Sequence, residues 1–257
     1  MPTAEEVFSE TFLRSIVNWS FVVSLRQISE IALPLAARVL APAHAEAVEL
    51  IAADSNYNKM FVNTDGSWSP WSEELKRLMS AGITTTAVSN ARKAMDAASL
   101  VFAQSMLDDA AWSYCQVCAL IAPQDWEPFV AAKKIDFATI RGSSTDAVRE
   151  ELIQAALSQL ERESLIKKVD MLFRLCNPPK DFAPTANYTF DRNRLEAIDS
   201  QRHRIVHEID LRGELKSIDD DLEYVRKTSI FLMGLVHQKY RVQIHPLKAF
   251  GIASGPA

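Results

Sequence analysis

Apolar residues recur every three or four positions along most of the chain, the period of helices that bury one face, and no sustained alternation of apolar and polar residues marks a strand. Val7, Phe8, Phe12, Leu13, Ile16 and Val17 make the first such stripe and predict a helix over 4–17. A second run over 25–39 contains Pro34, expected to kink or restart the helix, and a third, short helix is expected over 44–53. Residues 55–72, SNYNKMFVNTDGSWSPWS, carry the turn-forming pair Asp65-Gly66 and then Pro70, which predicts a long loop holding a short hairpin. From Thr84 the stripe Ala87, Val88, Ala91, Met95, Ala98, Phe102, Met106, Ala110, Trp112 and Cys115 predicts one long helix, or two nearly collinear ones, towards Ile121.

A connection with a short helical turn follows over 123–142, and Ser143, Ser144, Thr145 and Asp146 offer caps for a helix over 147–161. Ser164 either breaks that helix or sits within it, and Leu165, Ile166, Val169, Leu172, Phe173 and Cys176 continue the stripe until Asn177-Pro178-Pro179 stops it. After a loop over 181–189, residues 191–210 read as another helix, and Ser217 with Asp219, Asp220 and Asp221 begins a last one that runs to about Tyr240. The fold expected is all-α. Its 257 residues, 48% hydrophobic, with only seven glycines, suffice for one core, or for one domain with an extension.

A formal charge of −5 argues against broad electrostatic adhesion to nucleic acid, so an RNA contact would be confined to a local basic site. The start MPTAEEVFSE is acidic, and no uninterrupted apolar run approaches the length of a membrane span, so the expectation is a cytoplasmic protein with no membrane partner. Three cysteines fit a reducing compartment. Cys115 and Cys118 form a Cys-x-x-Cys, but no second Cys/His pair stands at zinc-site spacing, and their setting, WSYCQVCALIA, reads as a buried helix where both thiols pack the core. Asp219 to Asp221 suit a helix N-terminus better than a metal site, and His237 reads as surface or core packing. Trp68 and Trp71 could stack bases if exposed, although aromatic residues in a long loop more usually pin it to the core. Neither a metal nor a cofactor is expected.

The chemistry is concentrated in DRNRLEAIDSQRHRIVHEID, residues 191–210. On a helix, Leu195, Ile198, Ile205, Val206 and Ile209 share one apolar sector, and Arg202 points into it. A guanidinium in that position needs a carboxylate partner or an anionic ligand. Asp108 and Asp109 interrupt the apolar middle of the 84–121 helix, either as solvated acids or with one of them as the ion-pair partner of Arg202. His207 follows Arg202 by five residues at the flank of the apolar face, and His203 lies about 40° from His207 by helical rotation.

The segment Arg202-His203-Arg204-Ile205-Val206-His207 resembles the R-x-x-x-x-H signature of HEPN domains, in which the residue after the arginine is typically Asn, Asp or His. The resemblance implies a HEPN-like antiparallel helical bundle over 84–247, preceded by an N-terminal helical region over 1–83 and followed by a tail over 248–257. It further implies a metal-independent endoribonuclease of the toxin or defence type, a homodimer in which two signature helices form one composite cleft, and a 2′,3′-cyclic phosphate product. Arg202 would bind the scissile phosphate, His207 would act as acid or base, His203 would orient or assist, and Arg204 would touch the RNA backbone. Two other readings stay open. One is a HEPN protein that binds RNA or nucleotide without cutting, or partners a nucleotidyltransferase-like antitoxin. The other is a structural helical protein in which Arg202 closes a core ion pair.

Overall fold

The fold, obtained as a computed structural model, describes residues 2–54, 61–62, 68–69, 71–130, 144–179, 182, 184, 188–208 and 218–244. It is all-α: α1 (Ala4–Ala53), α2 (Glu73–Ile121), a 3-10 turn (Pro123–Trp126) running into the one-turn α3 (Glu127–Val130), α4 (Thr145–Glu161), α5 (Leu165–Cys176), α6 (Arg192–His203) and α7 (Ile218–Tyr240). The hairpin expected after α1 exists as two residues on each side, Phe61–Val62 pairing antiparallel with Trp68–Ser69. Asp65-Gly66, Pro70, the Trp68 side chain, most of the 123–142 connection and the 248–257 tail lie outside the described residues.

Three helices expected before residue 54 are one helix of 50 residues, with Pro34 and Pro42 inside it. A proline in a helix interior forfeits a backbone hydrogen bond and costs about 3 kcal/mol. Both proline rings lie on the exposed side, and the buried Leu33, next to Pro34, and Val48, six residues after Pro42, hold the helix in place. The start of α1 closes a capping box, with Thr3 N donating to Glu6 Oε2 at 2.8 Å and Glu6 N donating to Thr3 Oγ1 at 3.2 Å. Ser72 and Ser144 cap α2 and α4 through Leu75 N and Ala147 N. Ser164 separates α4 from α5, and Asn177 ends α5 in the left-handed region at φ 44°.

The chain divides into two compact units, one of residues 1–22, 100–209 and 217–257, the other of 23–99 and 210–216. The division cuts α1 and α2 in mid-helix rather than falling at residue 83, because the first turns of α1 and the second half of α2 share a core with the later helices. In the larger unit α1 and α2 run antiparallel, as shown by Phe8 against Tyr114 (centroids 5.7 Å), Arg14 paired with Asp109 (2.9 Å) and Phe21 against Phe102 (5.0 Å). Leu107, Cys115, Cys118, Leu157, Leu165, Leu172, Leu195 and Leu232 fill the core between α2, α4, α5, α6 and α7. All three thiols are free and buried, and burial pushes those of Cys115 and Cys118 upward, so the Cys-x-x-Cys packs as the sequence implies. Phe231 on α7 is ringed by Phe173, Phe182, Tyr188 and Phe190 at 5.2–5.8 Å, which ties the segment before α6 to α7.

In the smaller unit the remaining lengths of α1 and α2 pair antiparallel through Arg26–Asp96, His44 Nδ1 with Thr84 Oγ1 (2.9 Å) and Lys76–Glu49 (2.8 Å). By length and composition α1 is the one described helix apolar enough to cross a membrane, its best 18-residue window reaching a mean hydropathy of 1.2. Core helices and signal sequences meet the same criterion, so the property establishes no membrane protein.

Candidate functional site

Asp191 caps α6, its side chain accepting from Asn193 N at 2.9 Å and Arg194 N at 3.2 Å. Tyr224 of α7 accepts from Asp191 N (2.9 Å) and donates to Asp191 O (2.6 Å), which fixes where the helix begins. Arg192 forks onto Asp170 of α5 at 3.0–3.1 Å, and Arg194 lies 4.6 Å from the Tyr224 ring centre while pairing with Asp221. Leu195 and Ile198 then seal the inner face. The first two turns of α6 are therefore held on three sides before the signature residues are reached.

Arg202 lies in the last turn, half-buried with 34% of its side chain exposed, and its Nε is buried without a hydrogen-bond partner among the described residues. Among the described residues its carboxylate neighbour is Asp199, one turn back at 3.8 Å, too long for a hydrogen bond. The partners expected from the sequence are engaged elsewhere. Asp108 accepts two 2.8 Å hydrogen bonds from Lys168, whose side chain is only 4% exposed, and Asp109 pairs with Arg14 at 2.9 Å. A buried ammonium on α5 has the first claim on the acid that faces the core, and a cation from α1 takes the acid that faces outward.

Asp108 and Lys168 nevertheless act on the site electrostatically. Burial holds the Asp199 carboxyl above its ordinary range; the charge of Arg202 opposes that, Asp108 reinforces it, and His203 and Lys168 oppose it. Asp199 and Lys168 are the two members that sequence reasoning missed. Asp199 had a signal, standing three residues before Arg202, and so did Lys168, which falls within the apolar stripe of LIKKVDMLF.

After His203 the helix widens into a single π-helical turn, Arg204–Glu208. Such turns insert an extra residue and are frequent at functional sites. His203 and His207 are both exposed, their rings 4.4 Å apart between centroids and tilted by 42°; Arg204 is exposed as well, and Ile205 is half-buried. The structure thus gathers Arg202, His203 and His207 onto one end of α6, with Asp199 beneath the arginine and Ile209 beyond the described residues. His237, by contrast, donates from Nδ1 to Val242 O, 2.7 Å away, at the other end of α7. Among the described residues no three His, Cys, Asp or Glu side chains are grouped to hold a metal ion.

Fold and site together define an all-α protein carrying an arginine and a histidine pair at a π-distorted helix end. Comparison with profiles of known protein families, with characterised proteins and with solved structures finds no match.

Proposed function

We propose that the protein is a metal-independent endoribonuclease of HEPN type, active as a homodimer whose two α6 ends face a shared cleft in the cytoplasm. The observation that carries the reading is the Arg202 guanidinium, half-buried with an unpartnered Nε, beside two exposed imidazoles. With 34% of the side chain exposed, the terminal N–H groups of the guanidinium, rather than the buried Nε, would meet the oxygens of a scissile phosphate. One imidazole of the shared cleft accepts the 2′-hydroxyl proton as that oxygen attacks phosphorus. A second donates a proton to the departing 5′-oxygen, leaving a 2′,3′-cyclic phosphate. His207 fills these roles, His203 assists it, and Arg204 contacts the RNA backbone. A regulatory protein that covers the α6 end, as an antitoxin would, fits the same arrangement.

The 3.8 Å approach of Asp199 favours one competing reading, in which Arg202 is structural. Two variants separate them. His207→Ala should lower single-turnover RNA cleavage, measured in excess chelator, by about 10² to 10⁴ with an unchanged denaturation midpoint. Arg202→Met keeps the apolar stem and removes the buried Nε, so it should abolish cleavage while leaving stability equal or higher by up to about 1 kcal/mol. Intact RNA with wild type and His207→Ala alike ends the catalytic assignment. Destabilisation by Arg202→Met on the order of 2 kcal/mol or more would establish the structural role instead.

A further inference from the structure

The smaller unit is built inside out. Where α1 meets α2 over 23–99 the buried residues include Ser29, Leu33 and Val48 on one side and Ser80, Thr84, Ala97 and Ser99 on the other. Several of these hydroxyls are satisfied by their own helices, Ser29 by Arg26 O, Thr84 by Ser80 O and Ser99 by Met95 O at 2.7–3.0 Å. The large apolar side chains point the other way: Ile28, Ile31, Leu35, Val39 and Leu50 are exposed, Ile31 to 69% and Val39 to 75%. Ser24, Ile28, Ile31, Leu35, Val39, Pro42, Glu46 and Leu50 follow one another in steps of three and four residues and so line one side of α1, roughly 140° around the helix from Leu33. Few soluble helices leave such a seam uncovered, because exposed contiguous apolar patches mark interaction sites.

The residues within the seam say what covers it. Glu46 stands in it and Arg38 at its border, eight residues and about two turns apart on the same side of the helix. A second helix accommodates them. Two copies of α1 laid antiparallel about a two-fold axis near Pro42 bring Arg38 of each against Glu46 of the other, one contact made twice by symmetry. In that register Ile31, Leu35, Val39 and Leu50 lie within the overlap of the two helices, and at roughly 100 Å² each they supply roughly 400 Å² of the roughly 800 Å² that one partner buries in a standard interface. The small residues Ala32, Pro42 and Ala43 between them permit close approach.

We infer that the seam over 31–50 is a self-association face, on which α1 of one copy packs antiparallel against α1 of a second. This stands apart from the ribonuclease reading, whose residues lie in the other unit and whose test is cleavage.

Sedimentation equilibrium on the full chain tests it, with Ile31→Glu/Leu35→Glu as the disrupting variant and Arg38→Glu/Glu46→Arg as the compensated pair. Wild type should sediment as a dimer or a higher even assembly. The apolar variant should show half that mass, Arg38→Glu alone should weaken association roughly tenfold, and adding Glu46→Arg should restore it. Both apolar positions are exposed, so helical content should stay unchanged; Val39→Glu serves as a second disrupting variant should the first lose it. A monomeric wild type at tens of micromolar, or equal masses for wild type and variant, overturns the inference. So does flotation of wild type, but not of the variant, with phosphatidylglycerol vesicles.

Discussion

Removing Asp108 should destabilise the larger unit far more than removing its neighbour Asp109, and the difference can be worked from their partners. Lys168 presents an ammonium that is 4% exposed, with two hydrogen bonds of 2.8 Å to Asp108. Breaking a buried pair by deleting one member typically costs 3–5 kcal/mol, because the other charge is left buried and unpaired. Asp108 itself is 27% exposed, so water can enter where the carboxylate was, and Asp199 supplies some compensating negative charge. Asp108→Ala is therefore expected to cost about 2–3 kcal/mol. Lys168→Met leaves only the better-solvated Asp108 unpaired and should cost about 1 kcal/mol or less, and the double variant should resemble Lys168→Met alone. Urea unfolding followed by far-UV circular dichroism gives all four midpoints, and the cycle should return a coupling of about 2 kcal/mol. Asp109→Ala is the control: its partner Arg14 is exposed, and such pairs contribute about 0–1 kcal/mol. Additivity of the two single changes within about 0.5 kcal/mol would refute the reasoning, as would equal effects at positions 108 and 109.

Asp199 gives a pH-dependent effect. Its folded carboxyl binds a proton more tightly than in the unfolded chain, so its contribution favours folding below about pH 4 and is lost as pH rises through the higher folded value. Asp199→Asn should accordingly be more stable than wild type at neutral pH, with the gain vanishing towards pH 4; a constant difference across that window contradicts the assignment. Asn177→Ala should cost about 1 kcal/mol in thermal or urea unfolding, because φ 44° penalises a Cβ residue that lacks a local polar contact, whereas Asn177→Gly should be neutral or better. His203→Ala should reduce RNA cleavage less than His207→Ala does and leave the midpoint unchanged; an equal loss at both positions would make the histidines joint acid and base.

The helical period was enough to place the described helices of the larger unit, because each buries one regular face. Pro34 misled, since its cost is local while the contacts of Leu33 and Val48 with the rest of their unit hold α1 continuous, and that pairing is long-range information. The same gap explains the site. Arg202, His203 and His207 were visible as residues on one helix, while the end of the α-helix at His203 and the π turn that carries His207 were not. Nor were the electrostatic surroundings of these residues, because the claim of Lys168 on Asp108 depends on how α2 and α5 pack. A lysine within an apolar stripe is a legible warning that a carboxylate must be brought to it, and LIKKVDMLF carries that warning.

The π turn at Arg204–Glu208 means that the chain carries one residue more than an α-helix of the same length would hold. Deleting Val206 would let the turn close to regular α-helix, converting the five-residue separation of Arg202 and His207 to four. The imidazole would then swing by about 100° around the axis while everything before Arg204 stayed in place. Insertion and deletion of a single residue at this point is thus the smallest genetic step that turns His207 about the axis without altering the packing of Leu195 and Ile198, a tuning position that substitutions alone do not offer.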